Sequence, residues 1–224
     1  MKRLLFTYTA ILIWTICNCQ VDSVMLIKYD FSFYYKEGVY LDFTSFRNNA
    51  PIPIESIIYP QSDDEYFFER IDTAETIVYI DKYGMNVSLK KDKIWGYSKN
   101  GKPFIYWADK FNLIPFIGSV CHFITTVTVK YTTYRDPFYD PYYYNPASRT
   151  YQTEELRQFL IDTQTGKVIE YNISNVEVIL KREPELYNEF SKLSKRKKNK
   201  QLFYYVKLYN ERIDYLIPEY IFLK

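Results

Sequence analysis

The sequence predicts an α+β domain, a twisted and mainly antiparallel sheet packed against C-terminal helices. Two observations carry that expectation. Up to about residue 171 the apolar residues are largely aromatic and β-branched, and they are broken by short turns rich in Gly, Pro, Asn and Asp, the pattern of strands joined by hairpins. Beyond that point the apolar residues recur at helical spacing, behind a cap signal and a helix-opening proline. Glycine is scarce at 6 of 224 residues, which excludes a collagenous or flexible low-complexity protein.

In order along the sequence, DSVMLIKYDFSFYY and GVYLDF read as strands. TSFRNNAP reads as a short helical or turn segment that Thr44 or Ser45 can cap, with Pro51 ending any regular run nearby. IPIESIIYPQSDDEYFFERI has no clean period, and Pro60 and SDDE mark a surface turn. ETIVYIDKYGMNVSLKK reads as two strands about Gly84. KIWGYSKNGKPFIYWADKF reads as two more joined at Asn100-Gly101, a dipeptide that accepts the positive backbone angles of a tight hairpin. SVCHFITTVTVKYTTY continues the sheet, and LRQFLID turns at TQTGK into VIEYN. Between them, RDPFYDPYYYNPASRTY holds three prolines and reads as a long surface loop.

The helices come last. Ser174 and Glu177 have capping-box spacing, and Ile173 and Val178 are placed to form a hydrophobic staple over it. This helix is expected to end near Lys181 to Arg182, since Pro184 restricts Glu183 and suits the first position of a following helix. In that next segment Leu186, Phe190 and Leu193 form one apolar stripe and Leu202, Val206 and Tyr209 another. At about 100° per residue the two stripes differ by about 160° on an unbroken helix. A break within Ser194 to Asn199 would let both bury together; the alternative is one helix gripped on opposite sides.

The sequence opens with Lys2 and Arg3 followed by an apolar run, Leu4 to Ile16, too short for the roughly 20 residues that cross a bilayer as a helix. Residues 1–19 are therefore expected to be an export signal, with cleavage before Gln20 and residues 20–224 forming a single domain. Lipid attachment at Cys17 or Cys19 and an uncleaved helix are the competing readings. Loss of the signal turns 29 basic against 27 acidic residues into 27 against 27, so no overall charge draws the mature protein to a polyanion. It would also leave Cys121 as the one thiol, unable to close an internal disulfide and expected to be buried and inert. No segment of the mature protein is apolar for long enough to span a membrane as a helix.

Candidate sites are few. His122 is the single histidine, which excludes a multi-histidine zinc site within one protomer. If residues 121–129 are one strand, Cys121 and His122 point to opposite sides and cannot act as a dyad. Asp63, Asp64 and Glu65 lack the loop pattern of an EF-hand and read as a solvated turn. The loop's Tyr139, Tyr142, Tyr143 and Tyr144, beside Asp136 and Asp140, form the candidate partner surface, because exposed aromatic rings stack on sugars and anchor protein contacts; packing within the loop is the alternative. Lys195, Arg196, Lys197, Lys198 and Lys200 form a candidate anion patch, with a solvated helix junction as the plainer reading. NVS at 86 and NIS at 172 fit the N-glycosylation pattern, relevant only in a eukaryotic secretory route. There is no phosphate-binding glycine loop, nucleophile elbow or zinc-protease motif, the mature protein holds no C-x-x-C, and no cofactor is expected.

GVYLDFTSFRNNAPI, IWGYSKNGKPFIYW, FIGSVCHF and LIDTQTGKVIEYN, followed by ILKREPELYNEFSKLSKRKKNKQLFYYVKLYNER, resemble the recurring pattern of exported, uncharacterised proteins of Bacteroidota. The resemblance spans most of residues 36–212 and implies bacterial export and a single domain, with no site residues to transfer. The expectation is a non-enzymatic secreted, periplasmic or cell-envelope interaction protein whose partner is an envelope protein or glycan, with no nucleic acid. The alternatives are a glycan-binding or glycan-active protein using loop 136–151, and an anionic-ligand binder using the basic helix junction.

Overall fold

The computed structural model describes residues 24–60, 66–133 and 149–220. The export signal with Cys17 and Cys19, the acidic turn Asp63 to Glu65, and the loop residues 134–148 lie outside the described residues. The elements run in the order β1 (Val24–Lys28), β2 (Gly38–Tyr40), α1 (Phe43–Arg47), β3 (Ile57–Tyr59), α2 (Phe67–Thr73), β4 (Thr76–Ile80) and β5 (Asn86–Lys90). They continue with β6 (Gly96–Lys99), β7 (Lys102–Trp107), β8 (Lys110–Leu113), β9 (Val120–Thr133), β10 (Arg149–Asp162) and β11 (Lys167–Glu170). The last elements are α3 (Ile173–Leu180), α4 (Pro184–Ser191), α5 (Lys195–Arg212) and β12 (Leu216–Tyr220).

The α+β class holds, with antiparallel pairing throughout the described strands and the three longest helices, α3 to α5, gathered toward the C-terminal end, while the short α1 and α2 lie among the N-terminal strands. The single sheet expected from the sequence is instead four small sheets, ordered β1-β12, β11-β10-β9, β2-β6-β7-β8 and β3-β4-β5. Short strands with tight turns pair with their nearest neighbours, and nothing in residue patterning says whether successive hairpins share one ladder. The first and last described strands meet each other, β1 with β12, from Val24 opposite Tyr220 to Lys28 opposite Leu216.

Turn chemistry explains the hairpins. Asn100 and Gly101 take φ of 51° and 71° between β6 and β7, the two positive angles expected of that dipeptide. The next turn uses Ala108 and Asp109 at φ 54° and 63°, a hairpin that no glycine announces. The β8 residue Asn112 stabilises it, its amide donating to the carbonyls of Trp107 and Lys110 at 2.8 and 2.9 Å.

Two capping expectations are corrected. Helix α1 is capped by Asp42, whose carboxylate accepts from Ser45 N while Ser45 Oγ takes the Asp42 N–H; Ser45 is the reciprocal partner and not the cap. Helix α3 is capped by Asn172, which accepts from Asn175 N at 2.9 Å. This displaces the Ser174–Glu177 box by two residues. Val178 is 58% exposed, so no staple closes over the start, and Glu177 instead pairs with Lys198 at 2.5 Å. Asparagine competes for the cap as well as serine does, and the earlier start goes with Ile173 packing on the helical core and with Asn175 Nδ2 donating to Glu170 O at 2.8 Å.

Pro184 occupies the first turn of α4, as expected. The helix break falls at Lys192 to Ser194, ahead of the expected Ser194 to Asn199 window and sharing only Ser194 with it, and residues 195–199 are helical from the start of α5. Both apolar stripes then reach the same place: Leu186 and Phe190 join Leu202, Val206 and Tyr209 in one core with Val120, Leu160 and Val176. Asn210 ties α5 to β9, donating to Val120 O and accepting from Val120 N, each at 2.8 Å. Among the described residues no helix is long and apolar enough to cross a membrane.

One ion pair joins the sheet to the helices. Asp162, at the end of β10, is 4% exposed and accepts from both terminal nitrogens of Arg182, at 2.8 and 2.7 Å. Thr165 Oγ1 adds a bond at 2.7 Å. Burial pushes the Asp162 carboxyl up, but the Arg182 and Thr165 bonds and the guanidinium charge outweigh it, and the net shift is below the ordinary 3.8. A carboxyl lowered in the folded state stabilises the fold above its unfolded value and loses that contribution as pH falls through its folded value. Asp162→Asn is expected to cost about 2 kcal/mol in urea unfolding at neutral pH. The gap from the unsubstituted protein should close as pH falls below 3.8; a gap constant with pH would show that the carboxylate charge is not what the site uses.

Candidate functional site

The strands β9 and β10 pair over their full length, from Val120 opposite Asp162 to Thr133 opposite Arg149. Their inner ends are buried on both faces. Cys121, Phe123, Phe159 and Ile161 enter a core with Ile105 and Ile114, whereas Val120 and Leu160 enter the helical core. Only Phe159–Asp162 pair with β11. Toward the other end the ladder leaves the body and becomes a two-stranded ribbon, with Thr128 and Lys130 to Thr133 all exposed. The ribbon's two ends, Thr133 and Arg149, are the residues that flank loop 134–148.

One face of the ribbon carries an aromatic and charged row. Tyr131 and Tyr151 are direct cross-strand partners, stacked with ring centroids 5.6 Å apart and planes 25° apart; they are 39% and 51% exposed. The Tyr131 hydroxyl donates to Glu155, and Arg157 bonds Glu155 at 3.1 Å and Glu170 at 3.0 Å. The tyrosine hydroxyl first, and Arg157 second, hold the Glu155 carboxyl below its ordinary value. The row Tyr131, Tyr151, Glu155, Arg157 and Glu170 thus presents oriented rings beside fixed donors and acceptors. The opposite face shows Ile124 and Leu156, exposed by 44% and 74%. A shallow depression of about 410 Å³ lies beside Leu156, bounded by Gln158, Glu170 and Tyr171.

Sequence reasoning placed the partner surface in loop 136–151, on Asp136, Tyr139, Asp140, Tyr142, Tyr143 and Tyr144, all outside the described residues; the last three residues of that loop, Arg149 to Tyr151, are instead the start of β10, paired with β9. It did not single out Tyr131 and Tyr151. Their pairing depends on a register that the intervening 19 residues conceal; the period-2 spacing of Val127, Val129 and Tyr131 was the available signal.

The other candidates fall as follows. Cys121 is fully buried and its thiol donates to Gly118 O at 3.5 Å. Burial pushes the thiol up to about 12. His122 points to the other side of the strand, Nε2 lying 2.9 Å from Gln158 Oε1 and the ring packed edge-on against Tyr171 and Phe203. Burial lowers its pKa, with the Gln158 bond opposing. The two groups are thus on opposite faces, as strand alternation requires. Lys198 leaves the basic cluster: it pairs with Glu177 and lies 5.2 Å from the centre of the Phe190 ring. Lys195, Arg196, Lys197 and Lys200 remain exposed on α5, forming no ion pair among the described residues. Among the described residues no group of three or more His, Cys, Asp or Glu is arranged to hold a metal ion.

No protein family, no curated protein and no solved structure matches the sequence or its fold.

Because the thiolate is the reactive form of cysteine, Cys121 should resist alkylation in the folded protein at neutral pH and react fully in guanidinium. Peptide mass mapping after iodoacetamide treatment reads this directly, and labelling of Cys121 without denaturant would show that the core opens around it.

Proposed function

We propose that this protein is a non-enzymatic, exported interaction module, which uses the β9–β10 ribbon and the loop it carries to grip an envelope protein or glycan. The exposed Tyr131–Tyr151 stack carries the reading. Two large rings held together on an outlying ribbon cost little further ordering when a partner covers them, and the Tyr131 hydroxyl, already donating to Glu155, can still accept at the rim. The Glu155–Arg157–Glu170 network fixes polar groups beside the rings, a mixture that suits both a protein rim and a sugar face. The loop tyrosines 139, 142, 143 and 144 extend the same chemistry along the sequence. The apolar run at residues 4–16 and the resemblance to exported Bacteroidota proteins support placement outside the cytoplasm.

The test immobilises the protein and challenges it with an envelope extract and, separately, with a glycan panel. Tyr131→Ser/Tyr151→Ser is expected to weaken capture of the bound species about tenfold or more, the loss typical of two central aromatic anchors. Tyr83→Ser, an exposed tyrosine in the β4–β5 turn, serves as the control and should leave capture unchanged. Equal capture by all three proteins would remove the ribbon from the interaction.

A further inference from the structure

We infer that the outward face of α5, together with the Asp30–Ser32 turn beside it, is a docking surface for an anionic phospholipid bilayer. The buried face of α5 is fixed by Leu202, Tyr205, Val206 and Tyr209. At about 100° per residue the opposite side gathers Arg196, Lys197, Lys200, Phe203, Tyr204 and Lys207 within an arc of about 120° over about 16 Å of helix. Phe203 and Tyr204 are 42% and 56% exposed, so the row is basic and aromatic rather than merely charged.

A second apolar feature adjoins it. Phe31 is fully exposed at the head of a turn that Asp30 closes, accepting from Ser32 N at 2.7 Å and from Ser32 Oγ at 2.6 Å. Phe31, Phe116 and Lys207 border one cavity of about 340 Å³, and Phe116 packs on Phe203 with ring centroids 5.0 Å apart. Phe31 and the helix stripe are therefore parts of one continuous surface.

Charge complementarity selects the occupant. At the C-terminal end of the stripe Glu211 pairs with Lys207 at 3.8 Å and Asp214 with Lys28 at 2.6 Å, and Asp30 adds one carboxylate in the turn, set against three cations at the other end. At the other end Arg196, Lys197 and Lys200 have no such partner among the described residues, and the first turn of the helix holds no acidic residue. Uncompensated cations beside exposed aromatic rings match the headgroup level of an anionic leaflet, where rings sit at the boundary and lysine stems reach the phosphates. Single-stranded nucleic acid would want a row of open ring faces. Phe203 is instead engaged with Phe116 and His122, and Tyr204 stands edge-on to Tyr205.

Co-sedimentation tests this with the full-length protein and two vesicle types, phosphatidylcholine alone and phosphatidylcholine containing phosphatidylglycerol. The protein should favour the anionic vesicles and release as salt rises. Arg196→Gln/Lys197→Gln/Lys200→Gln should reduce that partition by about fivefold per charge removed. Phe31→Ser should reduce it severalfold while leaving the salt dependence in place. All four side chains are exposed, and circular dichroism checks that the variants fold. The triple substitution separates the α5 cations from Lys2 and Arg3 at the N-terminus. Equal sedimentation with both vesicle types would overturn the proposal. So would partition that survives the triple substitution, or a duplex DNA that displaces the vesicles at equal phosphate.

Discussion

The alternation of side chains along the inner ends of β9 and β10 is the constraint on which the rest of the fold depends. Each strand sends successive residues to opposite faces, and here both faces are buried, one against the β6–β8 sheet and the other against the C-terminal helices. A shift of one residue in β9 would place His122 among Ile105, Ile114 and Ile161 and move Cys121 and Phe123 beneath the helices, so the register is set by burial on two sides at once. Asn210, Ser119 and Thr163 reinforce it, joining the start of β9 to α5 and to the turn after β10 through bonds of 2.7–2.8 Å.

The same constraint explains why the outer ladder is available for recognition. Once the inner residues of β9 and β10 are fixed, no layer among the described residues covers the remaining length, and the strands continue as a mutually paired ribbon. Tyr131 and Tyr151 therefore gain order from the ladder without being consumed by the core. The three helices follow from the other face: α4 and α5 break apart at Lys192 to Ser194 because each carries an apolar stripe that must reach the same core. That division leaves the opposite side of α5 to solvent with its lysines, Phe203 and Tyr204.

Tyrosine replaces aliphatic residues through much of the interior. Tyr35, Tyr40, Phe46 and Tyr215 share one cluster with Ile217, linking the β1–β12 pair to α1. Tyr35 stacks on Phe46 at 5.2 Å, and Phe46 on Trp95 at 4.1 Å. Tyr40 supplies a polar end as well, its hydroxyl donating within reach of Asn49 Oδ1 at 3.0 Å and Lys36 O at 3.1 Å. A tyrosine-rich stretch of this protein is accordingly a packing resource in some places and an exposed face in others, and composition alone does not separate them.

What the sequence determined by itself was local. The Asn100-Gly101 turn, the strand pairs about Gly84 and TQTGK, the helix opening at Pro184 and the opposed directions of Cys121 and His122 all follow from backbone angles or strand period, which neighbouring residues dictate. What only the tertiary structure decided was anything requiring a choice between equally good local partners. Asn172 prevailed over Ser174 as cap where the earlier start lets Ile173 pack on the helical core and Asn175 bond Glu170 O, and Lys198 left the basic run because Glu177 and Phe190 arrive from other helices. The division into four sheets and the meeting of Tyr131 with Tyr151 belong to the same class. Pairing across long sequence separations is settled by which faces can be buried together, and that energy does not exist until the layers have assembled.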